Sequence, residues 1–262
     1  MTRIIHAQLI RMLRRRTIVA VAVAALLLSV VSTLTVFSSA GETGAGSRQG
    51  GTTLEALAAH GGGTEAFVIG ASFVGFLVFV TFSALMAGEF SGGTFRALLL
   101  RNPHRLRVIV GELIGLLVAA AGVVALAEVF TFALSLLVAP GADVTTSNWF
   151  SLDSAGAAVG DYATVFAGVA GWAIFGTTLA VIFRSIPIAL AVGFAWAGPF
   201  ENIVVDSWEP GLRYFPGQVL ASVIRGGTPD LDIGRAALTA AIYTGVAAVV
   251  ALVLVARRDV TA

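Results

Sequence analysis

Six long runs of apolar residues divide this sequence, and they restrict its fold more than any other feature. A helix needs about 20 residues, at 1.5 Å rise each, to cross the hydrocarbon core of a bilayer. The runs cover residues 17–37, 66–86, 108–138, 162–183, 186–205 and 236–256. Only 12% of all residues are charged, against about 25% in a soluble domain. The sequence therefore predicts an all-α, polytopic membrane protein: six transmembrane helices in a single domain over residues 1–262.

The fourth and fifth runs are separated by very little. Only Arg184 and Ser185 lie between them, and Pro187 follows. A charge beside a proline predicts a tight turn between two spans. The alternative is one long kinked helix over 162–205, whose length argues against it.

The arginines are distributed unequally between the two sides of this arrangement. All sixteen basic residues are arginine, and twelve of them fall on one side of the six spans. The other side has four, together with eleven acidic residues. Since basic residues mark cytoplasmic loops, we predict that both termini are cytoplasmic and that the chain resides in a bacterial inner membrane.

The segments outside the spans have distinct compositions. Residues 1–16 carry apolar positions on one helical face and arginines on the other, which predicts an interfacial helix at the N-terminus; the alternative is a basic flank. Residues 41–65 are glycine-rich and 139–161 are acidic, so both are expected to be external loops. Residues 201–235 contain interface-preferring aromatic side chains and a Pro-Gly pair that predicts a short helix at the outer surface.

Several kinds of chemistry are excluded by residue content. The chain has no lysine, which a P-loop requires, and no cysteine. The histidines His6, His60 and His104 all lie outside the spans, and no metal-ligand spacing is present. We therefore expect no enzymatic site, no cofactor in this chain and no nucleic-acid partner.

Glu128 is the acid that the sequence places clearly inside a span. Acids in the membrane are costly and usually functional, so Glu128 is a candidate contact for substrate or proton. The alternative is a hydrogen bond between helices.

The segment 88–105 between the second and third spans is unusual for a connecting loop. Phe95, Leu98 and Leu99 recur at helical spacing, Thr94 can cap a short helix, and Pro103 can end it. The pattern predicts a short amphipathic helix at the cytoplasmic surface that lies on lipid or docks into a partner.

This segment resembles the first cytoplasmic loop of ABC-2 type transporter permeases. The resemblance is carried by Glu-Phe-Ser-Gly-Gly-Thr-Phe-Arg at 89–96 and Leu-Leu-Leu-Arg-Asn-Pro-His-Arg at 98–105. The junction at 183–185 and the Tyr-Phe-Pro-Gly-Gln segment at 214–218 resemble two further parts of the family. Gly111-Glu112 departs from it, since the family has Gly-Lys there.

The resemblance implies a permease subunit of an ATP-driven exporter. Its partners would be a separate ABC ATP-binding subunit, which carries ATP and Mg, a second permease chain and membrane lipid. The loop helix would be a coupling helix, with its apolar face in a groove of the ATP-binding subunit. The implied coupling residues are Glu89, Thr94, Phe95, Arg96, Leu98, Leu99, Pro103 and Arg105.

The substrate pathway is expected to be apolar and aromatic. Its candidate residues are Glu128, Phe130, Phe76 and Phe79, which favours an amphipathic, drug-like or lipid-like substrate; ordinary lipid-facing phenylalanine is the alternative. Two other functions remain open at this point: a secondary transporter, and a non-transporting scaffold or sensor with a docking loop. A membrane-embedded enzyme would need a catalytic constellation in the spans, and none is visible in the sequence.

Overall fold

A computed structural model describes residues 5–6, 9–10, 14–40, 52–101 and 104–258, and within them all side chains except those of 73, 74, 76, 96, 97 and 101. These residues form helices and turns, with no β-strand in the described ranges. The helices are α1 (Arg15–Ser39), α2 (Leu54–Ala58), α3 (Glu65–Ser91), α4 (Thr94–Arg101), α5 (Arg105–Val138), α6 (Leu152–Phe183), α7 (Ile186–Ser207), α8 (Gly211–Tyr214), α9 (Pro216–Ile224) and α10 (Ile233–Arg257).

Five of these helices are long and apolar enough to cross a membrane: α1, α5, α6, α7 and α10. The helix α3 also qualifies if its two halves, which meet at an angle of 48°, are counted as one span. The chain is therefore an all-α membrane protein with five or six long apolar helices, at the places where the sequence predicts six spans. Most of the predicted interfacial helix at 1–16 lies outside the described residues.

The helix α6 lies at the centre of the bundle. Of its most apolar stretch, 61% is buried, against 17–22% for the other four straight helices. Small residues allow close approach: a side chain at Gly193 of α7 would overlap the ring of Phe79 in α3. A Cβ at Gly171 of α6 would lie 2.5 Å from Leu220 of α9. Small residues at such positions allow helices to approach closely in membrane bundles.

The start of α6 corrects one predicted boundary. The helix begins at Leu152, ten residues before the predicted span, so half of the expected acidic loop is helical. The Ser151 side chain accepts a hydrogen bond from the Ser154 amide at 3.2 Å, and Asp153 lies in the first turn. Both features stabilise a helix N-terminus, and they outweigh the polar character that predicted a loop.

The segments that the sequence predicts to be external are packed more tightly than their composition suggests. In α9, Val219 and Ile224 have no exposed surface, because the helix packs into the core against α6 and α10 instead of resting on the surface. The short helix α2 is held in place by the segment between α5 and α6. The Trp149 Nε1 in this segment donates to the Leu57 carbonyl of α2 at 2.8 Å.

The two ends of the bundle differ in charge. One end carries Arg15, Arg105, Arg184 and Arg258 at helix termini and is called the basic end below. The opposite end, where α1 and α5 finish and α6 begins, is called the acidic end. Which end faces the cytoplasm is a prediction from the arginine bias.

Candidate functional site

The segment between α3 and α5 forms a compact corner at the basic end. The helix α3 ends at Ser91, and Gly93 adopts a φ of +71°, in the left-handed region that glycine tolerates best. The eight-residue helix α4 begins at Thr94 itself, so this threonine is its first helical residue. Pro103 lies outside the described residues, and α5 starts two residues after it.

Phe95 faces the chain's own bundle, which corrects the expected role of the apolar face. Its side chain is 1% exposed, and its ring lies 4.6 Å from the ring of Phe90, centroid to centroid. Leu98 and Leu99 are half-buried against the same core cluster, which includes Val108 of α5. Phe95 cannot fill a groove of a partner while it holds α4 to the bundle, and Leu98 and Leu99 offer only the part of their surface that the bundle leaves uncovered.

The exposed face of α4 carries a residue that the sequence reasoning passed over. Leu100 is 84% exposed, and Thr94 is exposed as well. The signal was present, because three consecutive leucines cannot share one face of a helix with a period of 3.6 residues. The side chain of Arg96, a predicted coupling residue, lies outside the described residues.

Arginines tie three helix ends together beside this corner. The Arg105 Nη1 donates to the Arg258 carbonyl at 2.9 Å, and the Arg258 Nη1 donates to the Ile182 carbonyl at 2.8 Å. The guanidinium of Arg184 lies 5.7 Å from the ring centre of Phe90, within the range of a cation–π contact. Burial lowers the pKa of Arg184, and the positive charges of Arg258 and Arg105 lower it further.

Among the predicted coupling residues, Glu89 is half-buried at the same end of α3. Glu112, which departs from the family pattern, is 1% exposed and lies in the core side of α5. Neither acid therefore presents its carboxylate freely to a partner.

The predicted pathway residues do not form one surface. Phe79 is 2% exposed and makes an edge-to-face contact with Trp172 at 5.7 Å, which makes it a core residue of the bundle. Phe130 and Glu128 are half-buried on α5. The side chain of Phe76 lies outside the described residues.

Glu128 is accompanied by acids that the sequence reasoning missed. Asp161 of α6 lies close enough to interact electrostatically with both Glu128 and Glu65. The Thr64 Oγ1 donates to the Asp161 Oδ2 at 2.5 Å, and the Thr52 Oγ1 donates to the Glu65 Oε1 at 3.3 Å. The extension of α6 to Leu152 brings Asp161 onto a helix, which is why a loop assignment hid this group.

Glu201 is a further acid inside a predicted span, and it is fully buried. Its Oε1 accepts from the Gly217 amide and its Oε2 from the Gln218 amide, each at 3.2 Å. These amides belong to the first turn of α9, so the carboxylate caps that helix at its positive end. The signal in the sequence was Pro216, because proline is typical of the first turn of a helix. The amides of that turn need acceptors from outside the helix.

The described residues include no group of three or more His, Cys, Asp or Glu side chains suited to a metal ion. His60 of the acidic end contacts the Ser151 hydroxyl at 2.9 Å, but this serine caps α6 and the pair is exposed.

Comparison with known proteins adds no relative: no protein-family model matches the chain, and no curated protein matches it significantly. The fold itself defines the class, which is an all-α membrane protein.

Proposed function

We propose that the chain is the membrane-spanning permease subunit of an ATP-driven exporter, and that α4 is the element which receives motion from a separate ATP-binding subunit. The observation that carries the proposal is the way α4 is held. It is a short helix across the basic end, fixed by Phe95 and flanked by the long helices α3 and α5. A helix anchored in this way transmits force to both neighbours, because packed interiors shift as units.

The docking surface in this proposal is the exposed face of α4, centred on Leu100. An exposed leucine on a basic surface is suited to burial by a partner. Protein interfaces concentrate their binding free energy in a few central residues of this kind. Phe95, Leu98 and Leu99 then act through packing, by coupling α4 to the bundle, and Arg105 ties the start of α5 to the end of α10.

The shape of the bundle supports the proposal of a second permease chain. The centre of the chain is filled by α6, and the described residues enclose no large polar passage. A pathway wide enough for an amphipathic or lipid-like substrate would therefore form between two such chains. The arginine bias supports a cytoplasmic location for the basic end, and with it for both termini, in a bacterial cell.

The proposal is tested by transport. The chain is reconstituted into vesicles with a candidate ABC ATP-binding subunit from the same organism, and export of a lipid-like fluorescent substrate is followed after ATP addition. ATP-dependent export that also raises the hydrolysis rate supports the proposal; a chain that neither binds nor stimulates such a subunit contradicts it.

One observation favours a second candidate, a secondary transporter driven by an ion gradient. Glu65, Glu128 and Asp161 come together from three helices near the acidic end, and intramembrane acids serve ion coupling in such proteins. The same vesicles distinguish the two candidates, because this one predicts transport under a proton gradient without ATP.

A further inference from the structure

An open groove lies near the basic end of the bundle, where α5, α6 and α10 meet. Its volume is about 180 Å³. The helix α5 contributes Ile109, Val110 and Leu113 to it, and α10 contributes Ala248, Ala251 and Leu252. The walls are therefore almost entirely apolar, and the groove suits a hydrocarbon chain better than a polar solute.

Each helix that borders the groove has an arginine at its terminus, or directly after it, at the basic end. Arg105 precedes Ile109 by four residues, Arg258 follows Ala251 by seven, and Arg184 follows Thr177 of α6 by seven. Arg105 is the first residue of α5, whereas Arg184 and Arg258 directly follow the last residues of α6 and α10. The arginines therefore lie roughly 6 to 10 Å below the groove.

The contacts at this end bring the three arginines together. Arg258 donates to the carbonyl at the end of α6, and Arg105 donates to the carbonyl of Arg258. The charges of Arg105 and Arg258 also act on Arg184. Each guanidinium has five N–H donors, so one backbone hydrogen bond leaves most of the donors of Arg258 available to a further acceptor.

We propose that the groove and the arginines form a binding site for one anionic phospholipid. The acyl chain lies in the groove, and the headgroup phosphate meets Arg258 and Arg105 at its mouth. Basic pockets between helix ends bind anionic headgroups in membrane proteins through charge-assisted hydrogen bonds. This inference does not depend on the proposed transport function, because it concerns lipid from the bilayer itself.

The test uses the full chain purified in detergent and the number of lipids that it retains in native mass spectrometry. Dioleoyl phosphatidylglycerol and dioleoyl phosphatidylcholine have the same chains and differ in headgroup charge. Two variants address the two halves of the site: Arg258→Gln removes the charge and keeps an amide donor, and Ala248→Phe fills the groove. Their matched controls are Arg235→Gln and Ala241→Phe, at exposed positions of α10 outside the groove.

We expect one phosphatidylglycerol to be retained about tenfold more tightly than phosphatidylcholine. Arg258→Gln should lower that retention about fivefold, Ala248→Phe should lower the retention of both lipids, and the controls should match the parent chain. Equal retention of the two lipids overturns the proposal, as does an Ala248→Phe chain that retains lipid like its control. Displacement of the lipid by an equal concentration of glycerol 3-phosphate, which has no acyl chain, would assign the site to free phosphate and also overturn it. If Arg258→Gln does not fold, lipid selectivity of the parent chain and Ala248→Phe decide the question.

Discussion

The ring of Phe95 in α4 packs against the ring of Phe90 at the end of α3, with 4.6 Å between the centroids and a 45° tilt. This contact joins the short helix to the long one before it. Through Val108 and Ile109 the same cluster reaches the start of α5. The corner at the basic end is therefore a packed unit instead of a loop lying on lipid.

Phe95→Ala is expected to destabilise the chain. Removing a buried aromatic ring costs about 3–5 kcal/mol in protein cores, and the lost ring leaves Phe90 without its neighbour. The midpoint of unfolding in detergent, followed by circular dichroism, measures the effect. Leu100→Ala on the exposed face of the same helix is the control and should shift the midpoint little. Equal shifts in the two variants would show that Phe95 does not anchor α4.

Gly217→Ala is expected to weaken the attachment of α9 to α7. A Cβ at this position would overlap the Oε2 of Glu201, which caps the first turn of α9. The control is Gly245→Ala in α10, where a Cβ meets nothing within 4 Å. That change should be neutral or stabilising by up to about 1 kcal/mol, because alanine favours helix. Both are measured by the unfolding midpoint, and a Gly217→Ala chain as stable as the parent contradicts the close contact.

Much of this fold could be predicted from residue patterns, and the misses have physical causes. The long apolar runs identify the spans because a helix needs about 20 predominantly apolar residues to cross the hydrocarbon core of the membrane. The apolar stripe of α4 was visible in sequence, but a stripe does not say whether the chain itself or a partner covers it. Phe95 was assigned to a partner for this reason.

The acidic groups were harder to predict because their partners are distant in sequence. Glu201 is stabilised by amides sixteen and seventeen residues further along the chain. Asp161 interacts with Glu128 and Glu65 only because α3, α5 and α6 meet at the acidic end. No local pattern contains that information: Glu65 and Asp161 fall in predicted loops, and the residues around Glu128 and Glu201 in the sequence do not identify the groups that contact them.

Single cysteines should reveal the predicted orientation, since the chain has none of its own. Ser147→Cys, at an exposed position of the acidic end, is expected to react with an impermeant thiol reagent in intact cells. Ser91→Cys and Ser185→Cys at the basic end should react only after the membrane is permeabilised. Labelling of either basic-end cysteine in intact cells would show that the predicted orientation is inverted or that the number of spans is not six.

Glu128 and Asp161 are expected to act as a pair in transport. Glu128→Gln and Asp161→Asn each remove one charge while keeping the shape, and residues that interact give non-additive effects when combined. Transport by the two single variants and the double variant is measured in vesicles with expression held equal. Asp153→Asn, exposed in the first turn of α6, is the control. If the Glu128→Gln chain transports as well as the parent chain, the Glu128 carboxyl contributes to packing alone.

The most direct test of the central claim is capture of an ATP-binding subunit by the exposed face of α4. The chain is affinity-purified from membranes that also contain a candidate ABC ATP-binding subunit from the same organism. The parent chain, Leu100→Asp and the control Leu152→Asp are compared. Leu152 is 88% exposed at the opposite end of the bundle, against 84% for Leu100, so the two changes perturb similar amounts of apolar surface.

The account predicts that the parent chain and Leu152→Asp recover the ATP-binding subunit equally. Leu100→Asp should lose about 2 kcal/mol of binding, as a central anchor does, which lowers affinity about thirtyfold and abolishes coupled hydrolysis. Recovery of the subunit by Leu100→Asp at the level of the parent would contradict docking at α4, and failure of the parent chain to recover any ATP-binding subunit would contradict the permease assignment itself.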